Sequence, residues 1–64
     1  MVGINIKKIR VQKKITQKDL SSKTNINQSI ISRYESGTII PPIPRLEVIA
    51  EALGVTITDL LNTA

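Results

Sequence analysis

The sequence predicts an all-α chain built as a compact set of five short helices. Three observations carry that expectation. Apolar residues recur at helical spacing through most of the chain. Side chains that favour helix starts stand just before those runs, and Gly or Asn stands just after them. The three prolines are confined to four positions, 41–44, between two of the runs. At 64 residues the chain is read as one domain, 1–64.

Residues 4–13 form the first predicted helix, with Ile6 and Ile9 on one face and Val2 and Ile4 as extensions of it. "TQKD" at 16–19 opens the second: Thr16 is the N-cap, and Asp19 is the acidic partner three positions on. This helix runs to about Lys23 and buries Leu20. "TNI" at 24–26 breaks it, and Asn25 tolerates the left-handed backbone that a tight turn needs. Asn27 caps the third helix, 28–35, and Gly37 ends it. The prolines of "TIIPPIP" forbid a helix interior there. The fourth helix starts near Pro44, shows Leu46, Ile49, Ala50 and Leu53 on one face, and closes at Gly54. "TITD" at 56–59 repeats the capping pattern and opens a last short helix containing Leu60 and Leu61.

Composition narrows the chemistry. The chain has no Cys and no His, so a disulfide framework, a Cys-based zinc site and the commonest general base are all missing. An enzyme would have to rely on Asp19, Glu35 or a lysine in a pocket, and five short helices leave little room for one. No cofactor and no small-molecule ligand is implied. No apolar run reaches the roughly 18 residues of a membrane span. The absence of Cys suits a reducing cytoplasm. Charge is polarised: residues 1–33 carry eight Lys or Arg and one acid, a net +7, whereas residues 34–64 carry one Arg and four acids, a net −3. Such a chain can meet a polyanion with its first half.

On a helical wheel, Ile31 and Tyr34 of the third helix point one way, with Ile30 on the flank. Gln28, Ser29, Ser32 and Arg33 fall in one arc on the opposite side. These side chains can hydrogen-bond base edges, unlike the Glu and Lys of an ordinary solvated face. A short helix precedes this one by a three-residue turn, the helix-turn-helix spacing. Arg10 falls on the apolar side of the first helix and needs a partner there. Glu35 lies near the apolar side of the third helix, so a partly buried Arg10–Glu35 ion pair is expected.

Together these residues resemble the lambda-repressor-like helix-turn-helix domain, the Cro and phage-repressor group also called XRE-type regulators. The resemblance covers about residues 4–61. It rests on Arg10, Thr16-Gln17, Ile31-Ser32-Arg33-Tyr34-Glu35, Gly37 and Ala52-Leu53-Gly54-Val55, in that order and spacing. It implies a helix-turn-helix at about 17–36 with the third helix in the major groove of double-stranded DNA. It implies base contacts from Asn27, Gln28, Ser29, Ser32 and Arg33. Phosphate contacts would come from Thr16, Gln17, Arg10 and Thr38. It also implies the Arg10–Glu35 pair and a bacterial or phage-type cytoplasmic regulator, usually a repressor, acting as a homodimer on a two-fold operator.

Three positions depart from the family pattern. Asn25 replaces a turn glycine. Ile30 stands at a flank position that is more often polar, where it either touches a thymine methyl or packs. The loop after Gly37 reads Thr38-Ile39-Ile40 where relatives often carry Lys or Arg, leaving Thr38 and main-chain N–H groups for phosphate. Ile39 and Ile40, beside Pro41 and Pro42, either form an exposed apolar patch or fold back onto the core. A patch there would suit a second role, as a protein-interaction module or antitoxin-type adaptor docking through Ile39–Ile43.

Overall fold

A computed structural model describes residues 2–61. It contains α1 (Val2–Gln12), α2 (Gln17–Thr24), α3 (Gln28–Ser36), α4 (Ile43–Leu53) and α5 (Ile57–Leu61), with no strand among the described residues. Local chemistry sets most of the boundaries. At Thr16 the side chain accepts from the Asp19 N–H at 3.0 Å, and the Asp19 carboxylate accepts from the Thr16 N–H at 3.3 Å. Thr56 and Asp59 repeat the exchange at the start of α5. Asn27 caps α3 through the Ser29 N–H. Gly37 and Gly54, both with positive φ, terminate α3 and α4 by donating to carbonyls of the preceding turn.

The α1 C-terminus uses the same geometry without a glycine. Ile15 donates to the Arg10 carbonyl and Lys14 to the Val11 carbonyl, with Lys14 at φ 57°. This is the paired C-terminal bond pattern of a Schellman motif, and here a lysine carries the left-handed strain.

The core consists of Ile6, Leu20, Ile26, Ile31, Tyr34, Leu46, Ile49, Ala50, Leu53 and Leu60, drawn from all five helices and the α2–α3 turn. A core of this size is worth about 3–5 kcal/mol net. Helix α1 packs on α3 and α5, and α4 packs on α2 and α5. The Asn5 amide donates to the Leu60 carbonyl at 2.8 Å, fastening α1 to the last helix.

Two expectations for α1 change. The helix begins at Val2 rather than Ile4. Gly3 is buried against the end of α3, where a Cβ would run into the Tyr34 carbonyl oxygen, so the absence of a side chain lets the two backbones meet. Val2 does extend the core face, but Ile4 is 46% exposed. Ile4 is two residues from Ile6, about 200° round the helix, and so points away from the core. Leu61 is likewise exposed beside buried Leu60.

Candidate nucleic-acid interface

The α2–turn–α3 unit is held by bonds that leave one face of α3 open. Asn25 turns the chain at φ 58°. The turn then drops Ile26 into the core at 5% exposure. The main-chain N–H and C=O of buried Ile26 are both served. Thr24 Oγ1 donates to the Leu20 carbonyl and accepts from the Ile26 N–H, and the Ser21 hydroxyl donates to the Ile26 carbonyl. With Ile26 and Ile31 buried and Ile30 packed against the core, the orientation of α3 on α2 is fixed. Ile30 therefore takes the packing role.

The opposite side of α3 carries Gln28, Ser29, Ser32 and Arg33, all exposed. No hydrogen bond engages the side chains of Gln28, Ser32 or Arg33 among the described residues, so their donors and acceptors face outward. Ser29 differs: its hydroxyl donates to Asn27 Oδ1 at 2.8 Å.

Behind this face, Arg10 and Glu35 meet fork to fork. Arg10 Nε reaches Glu35 Oε2 at 2.7 Å, and Nη2 reaches Oε1 at 3.1 Å. Arg10 Nη1 also donates to the Ile15 carbonyl at 2.8 Å. The two side chains are only 11% and 4% exposed. Most of the guanidinium is thus engaged inside the protein. Gln17 joins the same carboxylate, its Nε2 donating to Glu35 Oε1 at 3.1 Å. One acid therefore ties α1, the start of α2 and α3 together. Reading the sequence did not find the Gln17 bond; both residues were visible, but nothing local signals that they approach.

The remaining phosphate candidates stand as follows. Thr16 is exposed at the α2 N-terminus, its oxygen accepting from Asp19 and its hydroxyl proton still available. The first-turn N–H groups of Gln17 and Lys18 have no partner among the described residues, which suits an anion, although the Asp19 carboxylate lies close by. After α3, the N–H groups of Gly37, Thr38 and Ile39 already bond the Tyr34 and Arg33 carbonyls. The C-terminal cap thus engages the N–H groups of Thr38 and Ile39 in the loop. The hydroxyls there are engaged as well: Ser36 Oγ donates to the Arg33 carbonyl at 3.1 Å and lies 2.8 Å from Thr38 Oγ1 at the exposed helix end.

The loop isoleucines do not fold fully inward. Ile40 is 81% and Ile43 56% exposed, while Pro41 is buried. Ile39 and Ile40 border a shallow apolar hollow of about 220 Å³ with Val2, Gly3, Tyr34 and Gly37. No helix among the described residues is long and apolar enough to cross a membrane. Those residues also hold no cluster of acids fit for a metal ion.

Five helices with a capped three-residue turn between α2 and α3, and an open polar face on α3, define a helix-turn-helix domain. The sequence model of a helix-turn-helix domain family matches residues 3–64, and the chain belongs to that family. This agrees with the lambda-repressor-like resemblance. Over 61 residues it is 35% identical to the immunity repressor protein of Bacillus phage phi105, covering 95% of this chain and 42% of that protein. Over 54 residues it is 43% identical to multiprotein-bridging factor 1 of Candida glabrata, covering 84% of this chain and 36% of that protein. An uncharacterized HTH-type transcriptional regulator, y4dJ of Sinorhizobium fredii, is 31% identical over 62 residues, 97% of this chain and 80% of that protein. The chain thus spans well under half the length of the first two relatives. No solved structure matches it.

Proposed function

We propose that this chain is a sequence-specific, non-enzymatic binder of double-stranded DNA that lays α3 in the major groove. The observation that carries this reading is the exposed face of Gln28, Ser29, Ser32 and Arg33 on a helix whose other side is locked into the core. Gln28 fits adenine at N6 and N7, and Arg33 fits guanine at O6 and N7. Asn27, at the helix start, offers its amide NH₂ beside them. Thr16, Gln17 and Thr38 border the face and are assigned to phosphate. Arg10 is assigned chiefly to holding Glu35, with two guanidinium hydrogens left over for the backbone.

Residues 1–64 would act as a single binding unit in the cytoplasm. One such module reads few base pairs, so a homodimer on a two-fold operator supplies the specificity. Occupying a promoter would then block polymerase, the act of a repressor, and family membership and the phage repressor relative support this. A second reading, docking of a protein partner at Ile39, Ile40 and Ile43, is favoured by their exposure and by the bridging-factor relatives.

Fluorescence anisotropy on a labelled generic duplex of about 20 base pairs tests the first reading without knowledge of the operator. Binding should strengthen as salt falls, the logarithm of the affinity changing by about 0.9 per phosphate neutralised for each log unit of salt. Absence of binding at low salt would reject it in favour of the docking surface.

A further inference from the structure

We infer that Ser29 reads an amino group in the major groove, that of adenine or cytosine, because its neighbour Asn27 fixes it as a hydrogen-bond acceptor. The inference rests on the groove reading proposed above and goes one step further, to the polarity of one contact.

A serine hydroxyl ordinarily donates or accepts as its surroundings require, so its residue type carries little information about the base opposite. Here two bonds remove that freedom. The Ser29 N–H donates to Asn27 Oδ1 at 2.9 Å. A main-chain N–H can only donate, so the amide atom it meets is the oxygen, and the orientation of the Asn27 carboxamide is set. The Ser29 hydroxyl lies 2.8 Å from that same oxygen. An amide oxygen has no hydrogen to give, so the hydroxyl must donate its proton inward. Only the lone pairs of Ser29 Oγ remain for a partner outside.

The converse holds at Asn27. Its oxygen receives two bonds from Ser29, while no bond engages its Nδ2 among the described residues. The start of α3 therefore presents a donor-only group beside an acceptor-only group, both exposed. Phosphate oxygens, guanine O6, thymine O4 and purine N7 are acceptors and have nothing to offer Ser29. The groups that do are adenine N6 and cytosine N4. The N-cap that stabilises α3 thereby also sets which base Ser29 accepts.

Every base pair carries one such amino group in the major groove, so the sequence preference alone does not reveal the polarity. The test removes single atoms. Binding sequences are first selected from a randomised duplex pool with the wild type and with Ser29→Ala, which keeps the Asn27 cap through the main-chain N–H. One base pair should relax in the variant while the others hold. At that pair, the amino-bearing base is then replaced by its deamino analogue, purine for adenine or 2-pyrimidinone for cytosine.

Wild-type affinity should fall by roughly three- to tenfold, the size of one neutral hydrogen bond. Ser29→Ala should bind both duplexes alike, which also controls for the weakened base pair. The inference is overturned if the deamino substitution leaves the wild type unmoved while deletion of the keto oxygen or purine N7 weakens it. It is equally overturned if no base pair relaxes in Ser29→Ala. Failure of the wild type to enrich any sequence would bring down the groove reading itself, and this inference with it.

Discussion

Glu35→Ala should lower the unfolding free energy by about 3–5 kcal/mol, leaving much of the chain unfolded at 25 °C. The carboxylate sits at 4% side-chain exposure and receives Arg10 through two nitrogens and Gln17 through one. Removing it strands the Arg10 guanidinium, only 11% exposed, with the Ile15 carbonyl as its one remaining partner among the described residues. An uncompensated buried charge is costly, and the cost equals the net worth of a core this small. Urea unfolding followed by circular dichroism would measure it. Replacing both ends of the pair, as Arg10→Met with Glu35→Leu, should be less harmful than Glu35→Ala alone, since no charge is then left without a partner. A Glu35→Ala protein within 1 kcal/mol of wild type would show that the pair does not hold α1 to α3.

Gln28→Ala combined with Arg33→Ala should erase the preference for a selected DNA sequence over a random duplex while leaving the fold intact. Each bidentate base contact discriminates by about 1–3 kcal/mol, so the pair together accounts for about 2–6 kcal/mol of selectivity per protomer. Both side chains are exposed and make no internal hydrogen bond among the described residues, so their removal should cost little stability. The two losses should differ in salt dependence. Arg33 brings a charge near the phosphates and its removal flattens the salt slope, whereas Gln28 brings none. Competition between selected and random duplexes gives the measurement. Unchanged selectivity in the double variant would place sequence reading elsewhere than on α3.

What the sequence revealed and what it hid divide by distance along the chain. Capping is chemistry among residues within four or five positions, and Thr16–Asp19, Thr56–Asp59, Asn27, Gly37 and Gly54 all stand where the pattern put them. The polar arc of α3 followed from a helical wheel for the same reason. Arg10 and Glu35 were joined across 25 positions because a cation on an apolar face demands an acid, and Glu35 lies near the apolar side of its own helix.

Contacts that depend on how helices dock had no such signal. Gly3 drew no reading of its own, yet it is the residue that lets α1 touch α3. Ile26 read as part of a break, yet it is a core residue carried by the turn. Lys14 takes a left-handed backbone with no Gly or Asn to announce it. At the interface, residue identities were legible but their commitments were not. Gln17 is partly engaged by Glu35, the loop N–H groups close the helix cap, and the Ser29 proton points at Asn27. Each of these follows from donor and acceptor geometry that residue type alone leaves open.

The central claim is that the open face of α3 touches DNA, and amide chemical shifts test it most directly. Isotopically labelled protein would be titrated with a duplex of about 20 base pairs, first at low salt and then at raised salt. The shifts should cluster at 16–17, at 27–33 and around 38, and should shrink as salt rises. Still amides at these positions, with the duplex in excess at low salt, would contradict the account.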